Sequence, residues 1–198
     1  MFFPEEMTFQ YFFFSTYPGY FLEVLPIALA AAYLYWRKHR SMAQTKRELL
    51  WSSVFVCYLT GLLCLTLALD LIGDLWFILL YWDFTCINTR LFSFAFDFEL
   101  HLLDFIDAED VFNLLMFLPF GVLYPLFRRK DGWGKTLLAG LVLVLGIELL
   151  QPIFGRAFDI NDVVLDTLGT SLSATLFFLC GRICRKLKPK APTEAAGG

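Results

Sequence analysis

The fold class of this chain is decided by the stretch KTLLAGLVLVLGIELLQ, residues 135–151. It carries no charged residue between Lys135 and Glu148. An α-helix needs roughly 17–25 predominantly apolar residues to cross the hydrocarbon core of a bilayer. The stretch therefore predicts a membrane-spanning helix that ends in two polar side chains, Glu148 and Gln151.

Four other segments of the chain have a similar apolar character, namely residues 17–36, 49–72, 111–127 and 162–181. Of the 198 residues, 58% are hydrophobic and only 18% are charged. A soluble domain of this length would need a more polar surface than such a composition supplies. We therefore expect an all-α integral membrane protein with about five transmembrane helices.

Positive and negative residues are segregated along the chain, although the formal net charge is only −3. Basic residues concentrate in 37–47, 128–135 and 182–190, whereas 73–110 contains Arg90 as its single Lys or Arg. Cytoplasmic loops of membrane proteins are enriched in Lys and Arg. This pattern predicts an N-terminus outside and a C-terminus in the cytoplasm.

The predicted outer loop, 73–110, contains an alternation of phenylalanines with small or acidic residues from Phe92 to Glu99. Period-two alternation is typical of a strand, but an open strand cannot cross lipid with its backbone groups unpaired. We interpret it as an extended or interfacial segment at the outer surface, with its aromatic rings against the membrane or the bundle. The alternative is an amphipathic anchor without chemistry. A short re-entrant piece at 75–82 is expected to precede it.

Polar residues near the outer ends of the last three segments form the candidate site. They are Asn113, Glu148, Gln151, Arg156, Asp159, Asp162 and Asp166. Charged side chains at membrane depth are rare and are usually functional. Glu148 and Gln151 lie three residues apart and therefore share one face of a helix. The predicted orientation brings these segments to one outer level, with Asp166 one helical turn further inside.

Several of these residues also have a structural interpretation. Asp159 stands where a helix N-cap is expected. Glu148 and Asp166 need a partner, because an unpaired buried carboxylate is costly, and Arg156 could supply a purely structural ion pair. Three further residues are expected to permit close helix packing or to kink a helix, namely Pro119, Gly121 and Gly169.

These residues resemble the VanZ-like family of membrane proteins. The matching strings are NLLMFLPFG at 113–121, ELLQ at 148–151 and RAFDINDVVLDTLG at 156–169. The likeness covers roughly residues 46–181. This chain departs from the family pattern at Asp166, where the family commonly has Asn. It departs also at 91–98, where the phenylalanine alternation replaces an Asn-Leu-Ile-Pro-Phe-like loop.

The resemblance implies a multi-pass protein of the bacterial plasma membrane with a core of four spans. Residues 1–45 would then be an added N-terminal helix with a basic cytoplasmic loop. Residues 46–183 would be the VanZ-like membrane domain, and 184–198 a basic, disordered cytoplasmic tail. The name-giving member of the family is linked to resistance against teicoplanin-type lipoglycopeptides.

The first functional hypothesis is a factor in antibiotic resistance or cell-envelope homeostasis. An outward-facing polar pocket would bind an amphiphilic lipid-linked cell-wall precursor or a lipoglycopeptide at the bilayer. Arg156 and Asn113 would meet phosphate or carboxylate, and Glu148 and Asp162 would meet an amine. No nucleic-acid partner is expected.

The alternative is a membrane enzyme that acts on a lipid-linked or glycan substrate. Glu148 would be the general base, Arg156 would stabilise an anionic group, and Asp159 or Asp162 would hold a divalent cation. The sequence contains no CxxC motif and no apparent Ser–His or Cys–His pair. We therefore assign no metal site, and apart from this possible divalent cation we expect no cofactor. The third hypothesis is a transporter or a membrane-embedded structural partner of another protein. The transporter is the weaker of these two, since no internal repeat is visible.

Overall fold

The computed structural model describes residues 17–41, 45–83, 91–92, 94–100, 108–129 and 131–187. In chain order its elements are helices α1 (Tyr17–His39), α2 (Lys46–Leu67) and α3 (Leu69–Tyr81), strand β1 (Ala95–Asp97), helices α4 (Ala108–Phe127) and α5 (Trp133–Leu150), a 3-10 helix (Gln151–Phe154), strand β2 (Ala157–Asp159) and helix α6 (Ile160–Leu187).

Five helices in the described part of the chain are long and apolar enough to cross a membrane: α1, α2, α4, α5 and α6. Only 11–39% of the most apolar stretch of each is buried inside the bundle, so most of their surface is left for contact with lipid. The predicted class, an all-α membrane protein with five spans, is confirmed. The direction in which the spans cross stays a prediction.

The second predicted span, 49–72, is wrong in its extent. Helix α2 ends at Leu67, and α3 begins at Leu69 after a bend at Ala68. The predicted re-entrant piece at 75–82 is therefore the second half of a longer helix, which ends where Trp82 adopts a left-handed conformation (φ 54°). Hydropathy does not register the bend, because the residues on both sides of Ala68 are apolar.

Contacts between helices gather the basic segments at one end of the bundle. Arg129 forms an ion pair with Glu48 in the first turn of α2. Trp133 Nε1, at the start of α5, donates a hydrogen bond of 3.1 Å to Thr175 Oγ1 in the second half of α6. We name this the basic end, comprising residues 37–41, 45–48, 128–129, 131–135 and 182–187. The opposite, polar end comprises residues 17–20, 66–70, 108–113 and 150–162.

Helices α4 and α6 approach each other closely at two glycines. A Cβ atom on Gly121 would overlap the backbone of α6 at Thr170 and Ala174, and one on Gly169 would overlap the carbonyl of Leu114. Both positions therefore require glycine for this packing. Helix α4 continues through Pro119 and Pro125.

The phenylalanine alternation is extended at 95–97, as predicted, but its backbone is paired. Strand β1 runs parallel to β2, with Phe96 opposite Phe158. The ring centroids of Phe96 and Phe98 lie 6.1 and 5.2 Å from that of Phe158. The two rings stay 53% and 70% exposed, so they cover Phe158 and also present an aromatic surface.

The first four residues of the predicted disordered tail, 184–187, are not disordered. Helix α6 continues to Leu187, so residues 184–187 are helical, and residues 188–198 lie outside the described part of the chain. Residues 1–16 and 42–44 of the predicted first domain also lie outside it.

Candidate functional site

A cavity of about 470 Å³ lies at the polar end. Its wall comes from the start of α1, the end of α2, the start of α3, the start of α4 and the segment from the 3-10 helix into α6. Four of the seven predicted residues line it: Asn113, Arg156, Asp159 and Asp162. The other three do not line it and are buried, with exposed fractions of 1% for Glu148, 2% for Gln151 and 3% for Asp166.

A tight turn after the 3-10 helix carries Arg156 to the cavity. Gly155 has φ 88°, and its backbone N–H donates to the carbonyl of Gln151. A side chain at this position would be strained, because the left-handed region favours glycine. The backbone N–H of Arg156 donates to the same carbonyl over 3.1 Å. A glycine just after a helix end is a recognised stop signal, so the sequence did contain this feature.

Glu148 supports the wall of the cavity from inside the bundle. Its Oε2 atom accepts a hydrogen bond of 3.2 Å from the backbone N–H of Asp159. The carboxyl group thereby joins α5 to β2, the strand that lies between Arg156 and α6. Arg156, the expected partner of Glu148, contacts the carbonyl of Thr66 at 3.4 Å and Glu109 Oε1 at 3.7 Å.

Two predicted residues from different helices meet in the cavity wall. Asn113 Nδ2 on α4 donates a hydrogen bond of 2.6 Å to Asp162 Oδ1 on α6. Asn113 is 7% exposed, so its amide is held in one orientation. The pair joins the two helices at the polar end. On α6, Asp162 lies about two helical turns before Gly169, where the helices approach closely.

Asp159 caps the N-terminus of α6, in agreement with the structural interpretation of this residue. Its Oδ1 atom accepts hydrogen bonds from the backbone N–H of Asn161 at 2.7 Å and from Asn161 Nδ2 at 2.8 Å. Asn161 Nδ2 also donates to the carbonyl of Glu99 at 2.9 Å. Asn161 thus ties the extended segment after β1 to the site, a role that its sequence position did not predict.

Gln151 and Asp166 are the two predicted site residues that each have a buried side-chain atom without a hydrogen-bond partner among the described residues. Within the described ranges, Gln151 Oε1 and Asp166 Oδ1 are buried without a hydrogen-bond partner. A buried polar atom left unpaired is destabilising by roughly 1–3 kcal/mol. Nothing in the structure explains the carboxyl group at Asp166.

Several residues that line the cavity were missing from the predicted site, namely the acidic side chains Asp70, Glu109 and Asp110 and the hydroxyl-bearing Tyr17 and Tyr20. They belong to α1, α3 and the first turn of α4. Acidic residues in a first helical turn are usually explained by their interaction with the helix dipole. Their sequence positions therefore did not predict that they line one cavity. Across residues 17–41, 45–83, 91–92, 94–100, 108–129 and 131–187, no group of three or more His, Cys, Asp or Glu is placed to hold a metal ion. The divalent cation stays a prediction.

The model of the VanZ/LLP1 family matches residues 29–181, which is most of the chain. The chain belongs to the VanZ/LLP1 family. This confirms the resemblance found in the three motif strings, all of which lie inside the matched range. The match begins within α1, earlier than the expected start near residue 46.

A known relative is Protein VanZ from Enterococcus faecium, which is 35% identical over 75 residues. The aligned residues are 37% of this chain and 47% of that relative, so the chain spans about half the length of the curated relative it matches. No solved structure matches the chain.

Proposed function

We propose that this VanZ-like protein of the bacterial plasma membrane acts in resistance to teicoplanin-type lipoglycopeptides or in cell-envelope homeostasis. The cavity at the polar end faces the outside and binds an amphiphilic cell-wall precursor or the drug. The observation that carries the proposal is the cavity itself, about 470 Å³ in volume and lined by Asn113, Arg156, Asp159 and Asp162. A concave site with a few convergent polar groups is the usual form of a small-molecule site.

The distribution of charge supports the outward orientation. The loops and the helix end that form the basic end carry most of the lysines and arginines of the chain, and such segments stay in the cytoplasm. The polar end then lies at the outer leaflet, where cell-wall precursors and lipoglycopeptides are found. To test this, Ala157→Cys, at an exposed position of the polar end, and Gly132→Cys are made in a chain that lacks its natural cysteines. A membrane-impermeant maleimide on intact cells should label the first variant and spare the second.

The buried position of Glu148 supports binding rather than catalysis. A general base must come within hydrogen-bonding distance of the proton it removes. Glu148 is 1% exposed and accepts a backbone hydrogen bond from Asp159. We therefore assign it a supporting role in the wall and keep the membrane enzyme, with Glu148, Arg156 and Asp162 in its active site, as the alternative.

The test is teicoplanin susceptibility in a host that expresses the wild type, Arg156→Ala or Glu148→Gln at equal levels. We expect both variants to lose protection, because Arg156→Ala removes the contacts that join the turn to Thr66 and Glu109 and Glu148→Gln weakens the support of the wall. The matched control is Arg37→Ala, an exposed arginine at the basic end, which should protect like the wild type. Unchanged susceptibility in both site variants would contradict the proposal.

Purified protein incubated with a lipid-linked precursor separates binding from catalysis. Binding without any new product supports the proposed function. Turnover that disappears in Glu148→Gln would establish the enzyme instead.

A further inference from the structure

A second cavity of about 660 Å³ lies between α1, α2 and α4. We name it the apolar groove, bordered by Tyr17 to Ala28 of α1, Cys57 to Leu65 of α2 and Phe112 to Pro119 of α4. None of the described residues that line it is charged. The groove therefore suits a hydrocarbon occupant.

The apolar groove adjoins the polar cavity and shares part of its wall. Four residues line both spaces, namely Tyr17, Leu65, Phe112 and Met116. The rings of Tyr17 and Phe112, whose centroids are 3.5 Å apart, stand where the two spaces meet. A polar space and an apolar space thus lie side by side, which suits a ligand that has a polar and an apolar part.

The depth of the groove matches one leaflet of a bilayer. A helix rises 1.5 Å per residue, so Tyr17 and Ala28 are separated by roughly 16 Å along α1. The corresponding stretch of α2, from Cys57 to Leu65, measures roughly 12 Å. The hydrocarbon core is roughly 30 Å thick, so the groove reaches from the polar end to about the bilayer centre. This is the depth of an acyl chain in the leaflet beside the polar cavity.

The charged groups around the polar cavity favour a cationic head group. Five acidic side chains and one basic side chain line it, and the basic one, Arg156, lies 3.7 Å from Glu109. An ammonium group offers three hydrogen-bond donors, and carboxyl groups accept them. An anionic head group would instead face an excess of acidic groups.

We propose that the apolar groove binds the acyl chain of a membrane amphiphile whose primary-amine head group lies in the polar cavity. The inference deepens the proposed function, on which it rests, by giving the ligand of that cavity a chemical class. Every α1 residue that lines the groove precedes residue 29, where the family match begins. The α1 wall of the apolar groove therefore lies outside the part of the chain that the family model matches.

The experiment uses the full chain in lipid nanodiscs and a long-chain primary alkylamine that carries a photoreactive diazirine at mid-chain. Cross-linked peptides are identified by mass spectrometry. We expect labels in 17–28, 57–65 and 112–119, with competition by the unlabelled amine. The N-acetylated form of the probe should label these peptides about tenfold less, as the loss of one charge-assisted hydrogen bond predicts.

Two variants reduce the volume of the groove. Gly61→Phe places a ring between α1 and α2, where a Cβ atom would lie 3.8 Å from that of Ala28. Leu115→Trp enlarges a lining side chain that is already 42% exposed and so should fold. The matched control is Gly146→Phe, because a Cβ atom at Gly146 meets nothing within 4 Å. Labelling of the groove peptides should fall in the first two variants and persist in the control.

Labels spread evenly over the groove and the lipid-facing side of α5 would mean surrounding lipid only and would overturn the proposal. Equal labelling by the amine and its N-acetyl form would overturn the head-group assignment.

These outcomes are separable from failure of the proposed function. If Arg156→Ala abolishes protection while labelling is unselective, the groove proposal alone fails. If labelling is selective while Arg156→Ala and Glu148→Gln protect normally, the resistance function alone fails.

Discussion

The polar end buries several of its polar side chains almost completely, whereas the ion pair that joins two helices at the basic end stays partly exposed. At the basic end, the side chains of Arg129 and Glu48 are 50% and 31% exposed in their ion pair. At the polar end, Glu148 is 1% exposed and Asn113 is 7% exposed. Exposed ion pairs contribute roughly 0–1 kcal/mol, whereas a buried group that loses its partner costs roughly 1–3 kcal/mol. Removing one partner is therefore expected to cost more at the polar end than at the basic end.

The largest expected effect is that of Glu148→Ala. It leaves the partly buried N–H of Asp159 without its acceptor and creates a void, so the free energy of unfolding should fall by about 3 kcal/mol. The measurement is a denaturation midpoint in mixed micelles. Glu148→Gln, which keeps an acceptor of the same shape, serves as the control and should lose less than half as much. A midpoint of Glu148→Ala equal to that of the wild type would remove the energetic difference between the two ends.

Asp159→Ala should be destabilising by about 1 kcal/mol, the usual loss when an N-cap side chain is removed. Its carboxyl group accepts the N–H of Asn161 at the start of α6. Asp159→Asn provides a sharp control, because asparagine caps equally well but carries no charge. Retained stability in Asp159→Asn together with lost drug protection would separate capping from binding. Equal destabilisation by both substitutions would argue against the cap.

Arg129→Ala tests the other end and should lower the free energy of unfolding by no more than about 0.5 kcal/mol. Its partner Glu48 also belongs to the capping box of α2 with Thr45, so the helix start keeps its own hydrogen bonds. Raising the salt concentration should abolish the small difference, since exposed pairs are screened. A salt-independent loss above 1 kcal/mol would show that the basic end is as rigidly built as the polar end.

The smallest expected effect is the pH response of Asp131 at the basic end. Although partial desolvation acts in the opposite direction, hydrogen bonds from Tyr124 and Lys135 hold the pKa of this carboxyl below its ordinary value of 3.8. Because the folded-state pKa is the lower one, the stabilisation is complete above the unfolded-state value and is lost as pH falls through the folded-state value. The unfolding midpoints of the wild type and Asp131→Asn should therefore differ at neutral pH and converge in acid. A difference that persists in acid would assign the effect to another contact.

The candidate site was only partly predictable from the sequence. Position near the predicted outer helix ends, together with the family resemblance, selected seven residues. The structure brings four of them to one cavity, namely Asn113, Arg156, Asp159 and Asp162. The same reasoning did not separate Glu148, which supports the wall, from the residues that line it. It also missed Glu109, because nothing local distinguishes an acid that lines a cavity from one that caps a helix. Burial separates these roles, and burial depends on neighbours that are distant in sequence.

Composition and charge by themselves determined that this chain has five segments long and apolar enough to cross a membrane and which end of the bundle is basic. Each apolar run must leave water wherever its neighbours lie, so local sequence is sufficient. Only the tertiary structure decided that β1 pairs with β2, that Asn113 meets Asp162, and that α1 closes both the polar cavity and the apolar groove. These contacts join residues that are far apart in the chain, and their geometry depends on how closely whole helices pack.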